Sequence, residues 1–458
     1  MSIRWLALAG AALAAVAPAS RAQHMGPGRA PADTGARPDT TPMRMSGPMT
    51  LMQGPLGISM ARQGSGTSWL PDATPMYGWH ATAGPWLFMF HGNGSVQYIE
   101  DGSDRGHRQL GSVNWAMGMA RRPLAGGDLT LRAMMSAEAS TVGRCGYPDL
   151  LATGEFCHGQ PLHDRQHPHD MFMDLSLGYQ RAISRHLAFQ IYGGPVGEPA
   201  LGPVAFPHRL SALPNPIAPI SHHWLDATHI SFGVVTAGLY GNRWKIEGSV
   251  FNGREPDEDR YDIDLNRLDS YSGRVWFLPN DAWAIQASVG RLVDAEQETA
   301  SAPLTSLTRS TLSATYHRTL GPQSIWANTV AWGANIESAK TTQAGLAESN
   351  LTLHERDIVF ARVEVNGKTG HDLALPLTAD SASQRETFTL GKVAVGYTRQ
   401  FAPVLGLMPG IGASVSLDLL PRGLEPYYGA TKEGGFAVFL SFRPARMTMA
   451  SPHRMEGM

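Results

Sequence analysis

In the stretch HDRQHPHDMFMD, His163 to Asp174, three histidines and three aspartates fall within twelve residues. Imidazole and carboxylate at that density suit two kinds of chemistry. They can ligate a borderline transition metal, or they can exchange protons with a substrate. His167 and His169 flank Pro168, whose ring makes them a rigid local pair. Nine of the seventeen histidines lie between His158 and His229, and a second group, His222 and His223, closes a Pro-rich stretch. The candidate metal ligands are therefore His163, His167, His169, Asp170, His222 and His223, with Cu or Zn as the ion they would take. Their spacing matches no H-E-x-x-H signature, so turn-capping and loop hydrogen bonds are the plainer alternative.

Methionine supplies a softer donor. Met25, Met43, Met45, Met49, Met52 and Met60 lie in or near the N-terminal stretch, and Met447, Met449, Met455 and Met458 near the end. Thioethers favour Cu(I). Catalysis finds less support: no G-x-S-x-G elbow and no phosphate-binding Gly loop is present, so no enzyme is expected. Asp257, Glu258, Asp259, Asp262 and Asp264 share one stretch but lack the glycine and terminal glutamate of an EF-hand. A solvated loop, or divalent contacts at a lipopolysaccharide surface, accounts for them.

The elements that must position these residues show a period of two. In RWKIEGSVFN, Trp244, Ile246 and Val250 face one way while Lys245, Glu247 and Ser249 face the other. AWAIQASVG, TRSTLSATYH, DIVFARVEV and DLTLRAMMSAEA repeat the pattern over lengths that let a tilted strand cross an outer membrane. Short and long connections alternate between them, as periplasmic turns and extracellular loops do. Eighteen strands follow from that parity, beginning near residues 50–60, with sixteen as the other solution. In this reading Met171, Met173 and Leu175 go to lipid and Asp174 turns inward.

The termini set the compartment. Arg4, an apolar run from Trp5 to Val16 and the small residues at 20–22 form a signal-peptide pattern over 1–22. Residues 23–48 make a flexible Met/Pro-rich leader, 49–443 the strand-bearing domain and 444–458 a Met-rich tail. Cys145 and Cys157 sit in one predicted loop of an exported chain, so a disulfide is expected. A net charge of −2 gives no reason to expect nucleic acid.

GGFAVFLSFRP, with Phe436, Val438, Leu440 and Phe442 on one face, resembles the aromatic-ended last strand of bacterial outer-membrane barrels. With the alternation and loop parity, the chain from about 50 to 443 is similar to a porin-like outer-membrane β-barrel. That resemblance implies an all-β fold: a transmembrane antiparallel up-and-down barrel of about 16–18 strands with long extracellular loops. Its surroundings would be the lipid bilayer and lipopolysaccharide in the outer membrane of a Gram-negative bacterium. Its lumen would be lined by the polar faces: Arg132, Glu138, Asp174, Lys245, Glu247, Arg274, Arg309, His317, Arg362, Glu364 and Lys392. Passive passage of small solutes is the first expected function. A copper-type metal-binding or resistance barrel is the alternative, since a Met-rich leader ahead of a barrel is similar to the layout of outer-membrane copper-resistance proteins. A structural barrel closed by its own loops is the third.

Overall fold

The structure, a computed structural model, describes residues 52–297, 304–337, 340–375 and 386–447. The signal-peptide and leader expectations, and the tail beyond Met447, lie outside the described residues. Nineteen strands follow one another among the described residues. The first six are β1 (Trp79–Ala83), β2 (Trp86–Asp101), β3 (Arg108–Leu124), β4 (Gly127–Met135), β5 (Tyr147–Cys157) and β6 (Gln160–Gln166). Next come β7 (Phe172–Ala182), β8 (Ala188–Gly197), β9 (Ser231–Tyr240), β10 (Trp244–Phe251), β11 (Ser270–Phe277) and β12 (Trp283–Gln297). The last seven are β13 (Leu304–Gly321), β14 (Ser324–Ile336), β15 (Thr341–Leu353), β16 (Asp357–Thr369), β17 (Thr387–Gln400), β18 (Leu407–Leu419) and β19 (Lys432–Pro444).

Sixteen of these close into an antiparallel barrel. β2 to β4 and β7 to β19 each pair with their neighbour, and β19 returns to β2 with Gly435 opposite Asp101 and Phe442 opposite Gly94. Closure leaves no free sheet edge, so the barrel satisfies its own backbone in a medium without water. The sixteen-strand solution therefore stands. The segment read as a first strand at 50–60 forms short 3₁₀ turns at Pro55–Gly57 and Met60–Arg62 instead. β1 is a short hairpin arm on the lower part of β2, and β5 and β6 pair only with each other.

The period of two is realised as expected. Along β10 exposure alternates strictly, with Trp244, Ile246 and Val250 outward and Lys245, Glu247 and Ser249 buried. Leu131, Leu177, Ile191, Val235, Val289, Leu312 and Val330 join them in an exposed apolar band. A band of that kind is what lipid requires. Tight turns at 125–126, 241–243, 322–323 and 354–356 mark one end, and the long connections 136–171, 198–230 and 252–269 the other.

One local reading is corrected. Met173, expected on the lipid face, is 2 % exposed and packs inside, because an irregularity opposite Met134 and Met135 breaks the register of β7. Trp115 and Tyr240 point inward as well: the Trp115 ring centroid is 4.8 Å from that of His208, and the Tyr240 hydroxyl donates to Gln180.

Candidate functional site

Three inserts enter the lumen, and the charged residues of the wall hold them there. The first is the segment 52–78, which runs along the short-turn end. Arg62 donates to Asp72 and to the Asn242 carbonyl, Arg121 donates to the Gln53 carbonyl, and Thr74 Oγ1 lies 2.8 Å from His317 Nδ1. Its bend at Ser65–Ser68 reaches the middle, where Lys245 donates to the Thr67 carbonyl and Arg132 to the Gly66 carbonyl. Lys245 also lies over the Trp69 ring.

The second insert is the Pro-rich connection from β8 to β9. It folds inward across the barrel, with Leu201, Val204, Leu225 and Arg209 at 1 % exposure or less. Six prolines restrict its backbone, which lowers the entropy lost on ordering so long a loop. Arg209 is its main tether: Nε donates to Glu348 at 2.7 Å and Nη1 to Asp226 at 3.0 Å. Arg362 donates to Glu348 and to the Ile217 carbonyl, and Ser221 donates both N–H and O–H to Glu364. Arg274 bridges Glu247 on the wall to the Gly202 carbonyl of the loop. Burial pushes the Glu198 carboxyl up to about 7, against the pull of Arg274.

The third insert is the β5–β6 hairpin at the long-loop end. Lys392 donates to Asp149 at 2.8 Å, Lys368 to the Leu151 carbonyl, and Arg105 to Asp164. The Cys145–Cys157 disulfide joins the residues at the start and end of β5. Both sulfurs are thereby used up, so their proximity to His158 is no metal site.

The wall residues expected to face a water-filled lumen do point inward, yet they serve as anchors. Lys245, Glu247, Arg274, Arg362, Glu364, Lys392 and Arg132 all bond to inserts or to each other. Arg309 donates to Asn335, and Asp174 accepts from Ser176 and Tyr192. Glu138 alone leaves the wall. It opens a short helix, α1 (Glu138–Thr141), and its carboxylate accepts from the backbone N–H of Asn114 and of His169.

Above the inner loop lies a cavity of about 220 Å³, open toward the long-loop end. Glu255, Asp257, Glu258, Glu296, Glu337 and Asp372 line it, against Arg254 and Lys340, so carboxylates predominate. The Lys340–Glu337 pair spans 3.5 Å across its rim.

His223, from the short helix α2 (His222–Leu225), forms part of its floor and begins a row of imidazoles. Ring centroids run His167–His223 at 5.8 Å, His223–His222 at 5.5 Å, His222–His229 at 5.1 Å and His229–His169 at 5.3 Å. Several of these rings are oriented through Nδ1. His169 Nδ1 lies 2.8 Å from Glu138, His222 Nδ1 2.9 Å from Asp226, and His229 Nδ1 2.8 Å from the Asp226 carbonyl. An imidazole held at Nδ1 presents Nε2 to a ligand. Burial keeps His167, His222 and His229 below the usual histidine range. Burial is the largest single influence on His169 too, but the charge and hydrogen bond of Glu138, with the charge of Asp170, together outweigh it and raise that ring. No three donor atoms of this row lie within 4.8 Å of one another, so it is a chain of neighbours without a closed cage.

Five of the six candidate ligands gather at this end, and one does not. His167, His169, His222 and His223 share the row, and Asp170 is buried beside it against Arg260. His163 lies on the hairpin insert, where its Nδ1 is 2.7 Å from Asp164. His229 was missed because it stands alone in sequence, seven residues past His222. Asp257, Asp262 and Asp264 do converge, at the exposed surface.

No protein-family model matches the chain, and no curated protein matches it. Solved structures of outer-membrane channels do. OmpF of Salmonella typhi in complex with daunomycin is 10% identical, covers 80% of this chain and 100% of its own, and has a TM-score of 0.47. DcaP of Acinetobacter baumannii gives 9%, 80%, 100% and 0.46, and the anion-selective porin of Comamonas acidovorans 9%, 78%, 99% and 0.44. The chain itself is a closed sixteen-strand antiparallel barrel.

Proposed function

We propose that this protein is an outer-membrane channel of ion-scale bore, held nearly closed by its own inserts. The observation that carries the reading is the filled lumen. A barrel of sixteen strands leaves a wide aqueous passage when empty. Here wall arginines, lysines and glutamates tie three inserts across it, and a space of about 220 Å³ remains above the inner loop. Carboxylates predominate among its charged lining groups, and they concentrate cations at the mouth. Planar-bilayer recording of the folded protein should show small, cation-preferring conductance, and liposomes carrying it should not swell in a disaccharide. Sugar-driven swelling at the rate of an open porin would overturn the reading, as would complete silence in the bilayer.

A second reading, a barrel that holds Cu²⁺ or Zn²⁺, is favoured by the histidine row and its Nδ1 anchors. Replacing His167, His169 and His222 together by alanine should weaken Cu²⁺ binding by about tenfold or more. An unchanged Cu²⁺ titration would remove the row from consideration.

A further inference from the structure

Below the histidine row, toward the short-turn end, the lumen changes chemistry. Barrel interiors are usually polar, yet the inward faces of β2, β3 and β4 carry Met89, Met117, Met119 and Met134. Met52 and Met60 from the first insert and Met173 from β7 pack into the same cluster, and Met76 and Met447 lie against it. Only three of these nine, Met52, Met60 and Met447, stand out in the sequence; the rest are scattered singly along strands and loops.

The cluster encloses a cavity of about 130 Å³. Thioethers of Met60, Met76, Met89, Met117 and Met119 line it. Two imidazoles enter the same space. His208 reaches in from the inner loop, with Nε2 3.4 Å from Met134 Sδ, and its ring centroid is 5.6 Å from that of His91 on β2. His91 Nε2 is buried and has no hydrogen-bond partner among the described residues. Gln63, Thr74 and Tyr77 also line it, the charged groups at its wall are the guanidiniums of Arg132 and Arg443, and among the described residues no carboxylate lines it.

Methionine fills irregular gaps in many cores, and that would explain a packed cluster. It does not explain a space left open beside two imidazoles. The donor set also discriminates among ions. A hard divalent cation needs oxygen ligands and charge compensation, and two guanidiniums would repel it. A soft monovalent ion bonds to thioether and neutral imidazole without either.

We propose that this chamber is a binding site for a soft monovalent cation, of the Cu(I) or Ag(I) class, drawing its ligands from Met89, Met117, Met119, His91 and His208. Its residues are distinct from those of the histidine row above, so the two sites stand or fall separately. From the long-loop end inward, donors then run from carboxylate through imidazole to thioether, in order of increasing softness. The Phe206–His208 turn joins the last two, with Phe206 against His169, His222 and His229, and His208 against the methionines.

The test is Ag(I) titration of the full, detergent-folded chain. Leucine nearly conserves methionine volume, so the combined variant Met89→Leu, Met117→Leu, Met119→Leu should fold and bind Ag(I) about tenfold or more weaker. His167→Ala with His222→Ala, and leucine at Met43, Met45, Met49, Met449 and Met455, should leave the tight site intact. Zn²⁺ should not compete. A second measurement needs no variant: X-ray absorption at the silver edge of the one-to-one wild-type complex should show sulfur and nitrogen neighbours. Wild-type affinity in the folded triple-leucine variant would overturn the proposal, and so would a silver environment of oxygen and nitrogen alone. Channel silence with retained silver binding would sink the channel reading and leave this one standing.

Discussion

Glu198 and Arg209 show how single side chains hold the lumen shut. Arg209 is fully buried between Glu348 on the wall and Asp226 on its own loop. Removing one partner of such a group leaves a charge stranded, at a cost of roughly 3–5 kcal/mol. Glu198 begins the inner loop, 3.5 Å from Arg274, and its carboxyl is raised by burial to about 7. A raised folded value means that the protonated form is favoured in the folded protein. That contribution is complete below the ordinary glutamate value of roughly 4.3 and is lost as pH climbs through about 7. The wild type should therefore lose thermal stability between about pH 4 and about pH 7 relative to Glu198→Gln, and no further above that. Parallel melting curves for the two proteins across that range would refute the assignment.

At the scale of the element, the inner loop owes its course to one close approach on the wall. A Cβ at Gly333 of β14 would stand 2.1 Å from the Trp224 carbonyl oxygen, so only glycine lets α2 settle against that strand. Trp224 then donates its indole N–H to Thr342, and Asn335 donates to the His223 carbonyl. Gly333→Leu should push the loop off the wall while the outward apolar band still folds. Single-channel conductance should rise severalfold and His167, His222 and His223 should gain exposure to solution reagents. Conductance equal to the wild type would show that the loop is held by its ion pairs alone.

The whole molecule couples a lipid-facing shell to a polar, filled interior, and the two should respond differently to challenge. The sixteen-strand hydrogen-bond circuit is closed, whereas the inserts depend on buried charges. In detergent, a low concentration of chaotrope should release the inserts before the barrel opens, so that conductance rises while the faster gel mobility of an unboiled barrel persists. Simultaneous loss of both would mean that the inserts and the wall form a single cooperative unit. Much of the shell was legible in advance. Alternation in RWKIEGSVFN or DIVFARVEV forces one face apolar and one polar, and loop parity then fixes strand direction. The site was legible only in part, because His222 and His223 advertise themselves as a pair while Met89, Met117 and Met134 each look like ordinary strand residues.

Residue order alone determined the barrel, the sorting of its short and long connections and most of the side chains that face inward, since a period of two and turn chemistry are local properties of the chain. Tertiary structure decided what fills the lumen. Arg209 finds Glu348 across 139 positions, and Lys392 finds Asp149 across 243. It also decided that thioethers from four strands and one insert meet around His91 and His208, because strands adjacent in the barrel bring together residues that no spacing in the sequence connects.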